Sequence, residues 1–100
     1  MITTSPVQVQ SQQALAWLRL ALSRVGPGEQ LSYGELARRA GLPGQARRVA
    51  RWLAQGALND LPWWRVLRAD GRIATAHPAA AEQRQRLLAE GWQEAPRRHR

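Results

Sequence analysis

The sequence predicts a single, mainly α-helical domain with a small β-hairpin, of the winged helix-turn-helix type. Three observations support this prediction. The chain has 100 residues, which is enough for one modest core and leaves no room for a second. Four segments carry helical spacing or capping signals, and each of them ends at a glycine. Two short extended runs flank an Asp70-Gly71 pair, which favours a tight turn.

The first helix is predicted to start near residue 12. Its apolar residues are spaced three or four apart: Ala14, Leu15, Trp17, Leu18, Ala21, Leu22 and Val25. The run Gly26-Pro27-Gly28 ends it. Residues 1–11 lack this period and are predicted to form a flexible arm, and the arginine-rich residues 95–100 are predicted to form a basic tail. The folded domain is therefore assigned to residues 12–94.

The second and third helices are predicted to form a helix-turn-helix. Ser32 can cap a short helix over Tyr33–Ala40, with Glu35 three residues later completing a capping box. Gly41 ends that helix, and Pro43 suits the first turn of the next one. The third helix has an apolar stripe made of Ala46, Val49, Ala50 and Leu53. Two short helices joined by a tight turn are typical of this DNA-binding motif.

The rest of the domain is predicted to hold the hairpin and a last helix. Trp63–Arg68 and Arg72–Ala74 are the two extended runs around the Asp-Gly turn. The last helix runs from Ala79 to Glu90 and is closed by Gly91.

The charge of the chain favours a polyanionic partner. All 15 basic side chains are arginine, and the formal net charge is +8. Eight arginines against three carboxylates lie between Tyr33 and Arg72, within the helix-turn-helix and hairpin. DNA is the predicted partner, and a solvated arginine-rich face is the alternative. The arginines expected to contact phosphates are Arg38, Arg39, Arg48, Arg51 and Arg68.

Several kinds of chemistry are excluded or disfavoured. The chain has no cysteine and only two histidines, so we predict no metal site and no cofactor. His77 is expected to be a loop residue, and Glu90 has no nearby carboxylate that would support hydrolysis. No apolar run of membrane-spanning length and no secretory signal is present, which favours the cytoplasm, with association with the bacterial nucleoid when the protein is bound to DNA.

The adjacent indoles of Trp63 and Trp64 must point to opposite sides if they lie on a strand. One interpretation is a core tryptophan beside an exposed one. The other is an aromatic wall against which an extruded base stacks.

Four segments in order carry a resemblance to a known family. They are Ser32-Tyr33-Gly34-Glu35-Leu36-Ala37, Ala46-Arg47-Arg48-Val49, Pro62-Trp63-Trp64-Arg65-Val66 and Leu87-Leu88-Ala89-Glu90-Gly91. Between Leu18 and Gly91 the chain resembles the C-terminal DNA-binding domain of the O6-alkylguanine DNA alkyltransferases. It is more similar still to their short alkyltransferase-like relatives, which bind lesions without repairing them.

The resemblance implies specific roles. Trp63 stands at the position of the alkyl-accepting cysteine, so alkyl transfer is excluded. Arg47 corresponds to the arginine finger that fills the base stack, and Tyr33 to the tyrosine that crowds the phosphate of the extruded nucleotide. Trp64 and Glu90 stand where the catalytic relay has its histidine and glutamate. The residues expected to line the flipped-base pocket are Tyr33, Trp63, Arg65, Val66, Ile73, Ala74 and His77.

The orientation of the two indoles follows from this alignment and from strand geometry. Trp63 is expected to line the pocket, so that its removal spares folding. Trp64 is expected to face the domain and to donate its N–H to Glu90.

Three departures from the family pattern keep a second interpretation open. Trp64 replaces the motif's histidine, Ala50-Arg51 replaces a Gly-Gly pair, and Ala76-His77-Pro78 replaces a loop of small residues. The leading hypothesis is a non-enzymatic monomer that flips O6-alkylguanine in duplex DNA and flags it for nucleotide excision repair proteins, with no membrane partner. The alternatives are a winged-helix regulatory module without a lesion pocket, and a remnant that binds other proteins.

Overall fold

The structure is a computed structural model that describes the backbone of residues 6–94 and the side chains of residues 10–94. Over this range the elements are α1 (Pro6–Ser23), β1 (Leu31–Ser32), α2 (Tyr33–Arg39), α3 (Ala46–Ala54), a 3₁₀ turn (Trp63–Arg65), β2 (Val66–Leu67) and α4 (Ala80–Ala89). The predicted fold class, a mainly helical domain of the helix-turn-helix type, is confirmed, whereas the two strands form a small parallel sheet and not the predicted β-hairpin. Residues 1–5 of the predicted arm and the predicted tail at 95–100 lie outside the described residues.

Helix α1 starts earlier than the sequence predicted. It begins at Pro6, so the assignment of residues 6–11 to an arm is wrong. Proline suits the first helical turn because the N–H that it lacks would have no intrahelical acceptor there. The following Val-Gln-Val-Gln run alternates with a period of two and therefore carries no helical apolar stripe.

Only one of the two apolar stripes of α1 faces the core. The core stripe consists of Ala14, Leu18 and Leu22 and continues into Val25, and all four are buried. Each fully buried leucine contributes about 1.5–3 kcal/mol of transfer free energy. Trp17, which the sequence placed in the same stripe, is 44% exposed. The helix therefore presents a second, uncovered apolar face.

The predicted helix-turn-helix forms, except that Pro43 lies in the turn and not in the first helical turn, because α3 begins only at Ala46. The Ser32 hydroxyl accepts a hydrogen bond from the Glu35 N–H at 3.0 Å, which caps α2. The helix ends at Gly41, whose φ of 78° requires the left-handed region, and the Leu42 N–H donates back to the Ala37 carbonyl at 2.8 Å. Buried residues of α2 and α3 then pack together in the main core: Leu36, Ala37, Val49 and Leu53.

The predicted hairpin is corrected by the structure. Trp63–Arg65 forms a 3₁₀ turn, and β2 pairs in parallel with β1, with Leu31 opposite Val66. The Asp70-Gly71 turn does form, and the Arg68 N–H donates to the Arg72 carbonyl across it at 2.9 Å. The second run does not continue as a strand because Ile73 turns into the core instead.

Helix α4 closes the domain over a second apolar cluster. The cluster consists of Leu67, Ile73, Leu87 and Trp92. Gln83 is almost fully buried, and its amide donates to the carbonyls of Trp64 at 3.1 Å and Val66 at 2.8 Å. These bonds hold the 3₁₀ turn and β2 against α4. None of the helices in residues 6–94 is long and apolar enough to cross a bilayer.

Candidate nucleic-acid interface

Helix α3 presents two arginines to solvent. Arg47 and Arg51 are one helical turn apart and exposed, while Val49 and Leu53 on the same helix are buried. Within the described part of the chain, neither guanidinium has a hydrogen bond or an ion pair. No carboxylate therefore occupies their N–H donors, which are accessible to an incoming phosphate or base.

Three of the other predicted phosphate-binding arginines are already paired on the surface. Arg38 contacts the Glu35 carboxylate through two nitrogens, at 2.9 and 2.6 Å. Arg39 contacts both Glu35 and Glu29, and Arg68 contacts Asp70 at 3.1 Å. Hydrogen bonds from Arg38 and then Arg39 hold the pKa of Glu35 below its usual range.

Such exposed pairs are weak, because water and salt screen both partners. A phosphate can therefore replace the carboxylate without a large loss of free energy.

Arg48 has a different environment from the one that the sequence predicted. Its guanidinium lies 4.6 Å from the ring centroid of Trp52 and donates to Gln45 at 2.9 Å and to the Ser11 hydroxyl at 3.1 Å. These contacts tie α3 to α1. Arg48 therefore positions the recognition helix in this structure instead of pointing to a ligand.

Tyr33 begins α2 at the edge of the same surface. It is half-buried, and its burial raises the pKa of the phenol, an effect that the nearby positive charge of Arg68 opposes. The phenol is therefore neutral at physiological pH, and its O–H is available to donate a hydrogen bond to a phosphate oxygen.

Trp63 is buried, and His77 covers one face of it. The indole is 5% exposed, and the imidazole lies parallel to it, with ring centroids 5.3 Å apart and an interplanar angle of 3°. The Ala79 N–H donates to Nδ1 of His77 at 3.0 Å, which fixes the ring in the stacked position. Among the described residues, the buried Nε2 of His77 has no hydrogen-bond partner. His77 lies in a loop, as predicted, and in addition packs against Trp63.

The predicted orientation of the two indoles is wrong in part. Trp63 belongs to the main core, so its removal is not expected to spare folding, whereas Trp64 is only half-buried. The alternation rule for strands does not apply because the two residues lie in a 3₁₀ turn. The Trp64 ring meets Trp63 edge-on at 6.3 Å and lies between the guanidiniums of Arg65, at 5.0 Å, and Arg86, at 4.7 Å.

Arg65, predicted to line the base pocket, is instead the partner of Glu90. Its side chain is 10% exposed, and Nη2 lies 2.5 Å from Oε2 of Glu90. Nη1 also donates to the Val25 carbonyl at 2.8 Å. These hydrogen bonds from Arg65 are the main reason why the pKa of Glu90 is lowered. The pair ties the 3₁₀ turn to the ends of α1 and α4.

The expected hydrogen bond from Trp64 to Glu90 is absent among the described contacts. The indole N–H is close enough to help lower the pKa of Glu90, but its Nε1 makes no bond of ordinary geometry within residues 10–94. Arg65 takes the acceptor oxygens instead.

The remaining predicted pocket residues are divided between core and surface. Val66 and Ile73 are buried, and Ala74 is half-buried. The structure therefore brings Trp63 and His77 together and leaves Arg65 in a structural pair. Sequence reasoning missed Gln83, although its position four residues before Leu87 places it on the buried face of α4. Residues 10–94 contain no group of three or more His, Asp or Glu side chains able to hold a metal ion.

Comparisons with known proteins all indicate the same family. Residues 13–92 match the family model described as 6-O-methylguanine DNA methyltransferase, DNA binding domain. The chain is 37% identical to a DNA base-flipping protein of Vibrio parahaemolyticus over 82 residues, which cover 79% of this chain and 80% of that protein. It is 36% identical to alkyltransferase-like protein 1 of Schizosaccharomyces pombe over 74 residues, which cover 71% of this chain and 68% of the relative.

The fold is similar to a solved structure as well. The structure of S. pombe Atl1 in complex with damaged DNA containing O6-carboxymethylguanine superposes with a TM-score of 0.72 at 29% identity. The superposition covers 82% of this chain and 79% of that one.

Proposed function

Because this chain belongs to the family of the 6-O-methylguanine DNA methyltransferase DNA-binding domain, we propose that it is a non-enzymatic protein that binds O6-alkylguanine in duplex DNA and turns the damaged base out of the helix. One observation carries the proposal. Helix α3 exposes Arg47 and Arg51, which have no ion pair among the described residues, and the family resemblance puts Trp63 at the position of the alkyl-accepting cysteine.

The replacement of the cysteine excludes alkyl transfer. The chain contains no cysteine, and an indole carbon or nitrogen is not a nucleophile comparable to a thiolate. A lesion that binds is therefore held and released unchanged. Persistence of the complex is what marks the site, and we propose that nucleotide excision repair proteins recognise it.

Base flipping requires different contributions from α3 and from the rest of the surface. Extruding a base costs about a few kcal/mol of unstacking. Arg47, exposed on α3, fills the gap in the stack, and Arg51 neutralises a neighbouring phosphate. Tyr33 donates to the phosphate beside the extruded nucleotide. Each neutralised phosphate releases counterions, so binding weakens as the salt concentration rises.

The extruded base must displace His77. The imidazole occupies one face of Trp63 with a parallel geometry, which is the arrangement that a base would adopt on the same indole. A base that replaces His77 gains a stacking surface, while the Ala79 N–H loses its acceptor. The covered indole thus opens only to a ligand that stacks better than imidazole.

The stacking of His77 on Trp63 also favours a second candidate function. If His77 never leaves Trp63, the protein is a winged-helix DNA-binding module without a lesion pocket. Its affinity would then come from the arginines of α2 and α3 alone.

Binding to matched duplexes with and without one O6-methylguanine distinguishes the two functions. The measurement uses fluorescence anisotropy at about 0.15 M salt, where non-specific phosphate contacts are already weakened. A lesion duplex bound at least about tenfold more tightly supports lesion recognition, since that ratio corresponds to about 1.4 kcal/mol. Equal affinities support the regulatory module, and no binding to either duplex contradicts both. Sedimentation of the complex tests the proposed monomer.

A further inference from the structure

The uncovered face of α1 carries large apolar side chains. Trp17 and Leu20 are 44% and 53% exposed, and of the described residues only Leu88 is another large hydrophobic residue with such exposure. Trp17, Leu20 and Ala21 are spaced three and four apart, so they lie on one side of the helix. The core stripe lies on a different side. Ala21 is partly buried against the core, whereas the exposed areas of Trp17 and Leu20 are not buried by the fold.

The stripe forms one wall of a groove between α1 and the end of α2. The groove has a volume of about 370 Å³, which is within the range of about 300–1,000 Å³ found for binding pockets. The α1 wall continues to Arg24, and Arg39, Ala40 and Gly41 form the other wall. Gly41 terminates α2 here, so the groove is open at that end.

The charges of the groove have one sign. Both charged residues that line it are arginines. Arg39 is held by Glu29 and Glu35, whereas Arg24 is exposed and has no ion pair or hydrogen-bond partner for its guanidinium among the described residues. An acidic group placed over Trp17 and Leu20 therefore meets an uncompensated cation.

The groove shares Arg39 with the predicted phosphate-binding arginines, but Trp17, Leu20 and Arg24 lie on or directly after α1, to which no DNA contact is assigned. The groove lies at the C-terminal end of α2, whereas Tyr33 begins that helix. A different flank of α1 carries Arg19, which pairs with Asp60.

We propose that this groove binds an acidic amphipathic helix of another protein, with its apolar side chains against Trp17 and Leu20 and a carboxylate on Arg24. In helix-in-groove recognition, the bound helix supplies apolar anchors spaced three and four residues apart. A phosphate backbone requires cations and water along its length, and the exposed Trp17 and Leu20 offer it neither. The link to lesion marking rests on the proposed function, since a partner held here is recruited while α3 remains on DNA.

Labelled peptides test the chemistry directly. The first probe is a helical peptide with Leu at three- and four-residue spacing and Glu on its flanks. The second carries Lys in place of Glu, and the third has the composition of the first in scrambled order. Anisotropy is measured with the full chain, and each variant is also titrated with DNA.

The matched controls come from the chain itself. Leu20→Glu is compared with Leu88→Glu, because both leucines are 53% exposed. Arg24→Glu is compared with Arg84→Glu on α4, which changes the net charge equally. We expect the first member of each pair to weaken binding of the acidic peptide at least about tenfold, as for an interface hot spot. The second members are expected to leave it within about twofold of the wild type.

Several outcomes overturn the proposal. The lysine peptide binds as tightly as the acidic peptide, or both variants of a pair weaken peptide binding equally, or the acidic peptide does not bind at all. Leu20-dependent binding to vesicles with anionic lipid, without peptide binding, assigns the groove to a membrane surface. Leu20-dependent self-association assigns it to a second copy. Because Leu20→Glu is expected to keep its duplex affinity, loss of peptide binding is distinguishable from failure of lesion recognition.

Discussion

The pair between Arg65 and Glu90 is predicted to be a main contributor to stability and not a remnant of catalysis. Their side chains are 10% and 16% exposed, and Arg65 also bonds the Val25 carbonyl. Removing one member of a buried pair costs about 3–5 kcal/mol, and the residual exposure of Glu90 favours the lower end. For Glu90→Gln we therefore expect a loss of about 3 kcal/mol, which lowers the melting temperature by about 12–24 °C for a domain of this size.

The measurement is thermal and urea unfolding of Glu90→Gln beside Glu82→Gln. Glu82 lies on α4, which Glu90 caps, and pairs with Arg86 at the surface, where such pairs contribute about 0.3–0.5 kcal/mol. The paired replacement Arg65→Met with Glu90→Leu removes both charges and is expected to be much less damaging than Glu90→Gln. A loss for Glu90→Gln no larger than that for Glu82→Gln would show that the Arg65–Glu90 pair contributes no more than a surface pair.

The pH dependence supplies an independent check. Hydrogen bonds from Arg65 lower the pKa of Glu90 in the folded state, so the pair stabilises the fold fully above the unfolded carboxyl pKa of about 4.3. The stabilisation is lost as the pH falls from there through the folded pKa. The stability difference between the wild type and Glu90→Gln should therefore be largest near neutrality and shrink in acid. A constant difference across this range would contradict the assignment.

Four further predictions concern the DNA surface and the tryptophans. Trp63→Ala is expected to cost about 3–5 kcal/mol in urea unfolding because the indole is buried in the main core, and a smaller cost than for Trp64→Ala would contradict this. Arg47→Ala is expected to weaken lesion-duplex binding more than Arg84→Ala, and equal losses in anisotropy titrations would indicate a diffuse charge effect. His77→Ala is expected to raise lesion affinity and to brighten a reporter base that fluoresces when flipped, because it uncovers Trp63, whereas unchanged values favour the regulatory module. No alkyl label is expected to move from O6-methylguanine DNA to the protein, and a labelled residue found by mass spectrometry would refute this.

The local features of this domain could be derived from the sequence because they depend on neighbours along the chain. Ser32 and Glu35 form the cap that their spacing predicts, and Gly41 ends α2 because its positive φ suits glycine. The concentration of arginines on the helix-turn-helix and the absence of cysteine required no structure. These properties favour a polyanionic partner and leave the chain without a thiol that could accept an alkyl group.

The helix-turn-helix with its arginine surplus, and the absence of cysteine, can thus be derived from the amino-acid order alone. Which arginines remain free, which indole is buried and which helix face stays uncovered depend on contacts between distant segments. Arg65 meets Val25 across 40 positions and Glu90 across 25, and His77 meets Trp63 only because the chain folds back over the 3₁₀ turn. Apolar spacing indicates that a helix has a buried face, but Trp17 and Leu18 are adjacent on α1, and only the packing of α2 decides which of them is covered.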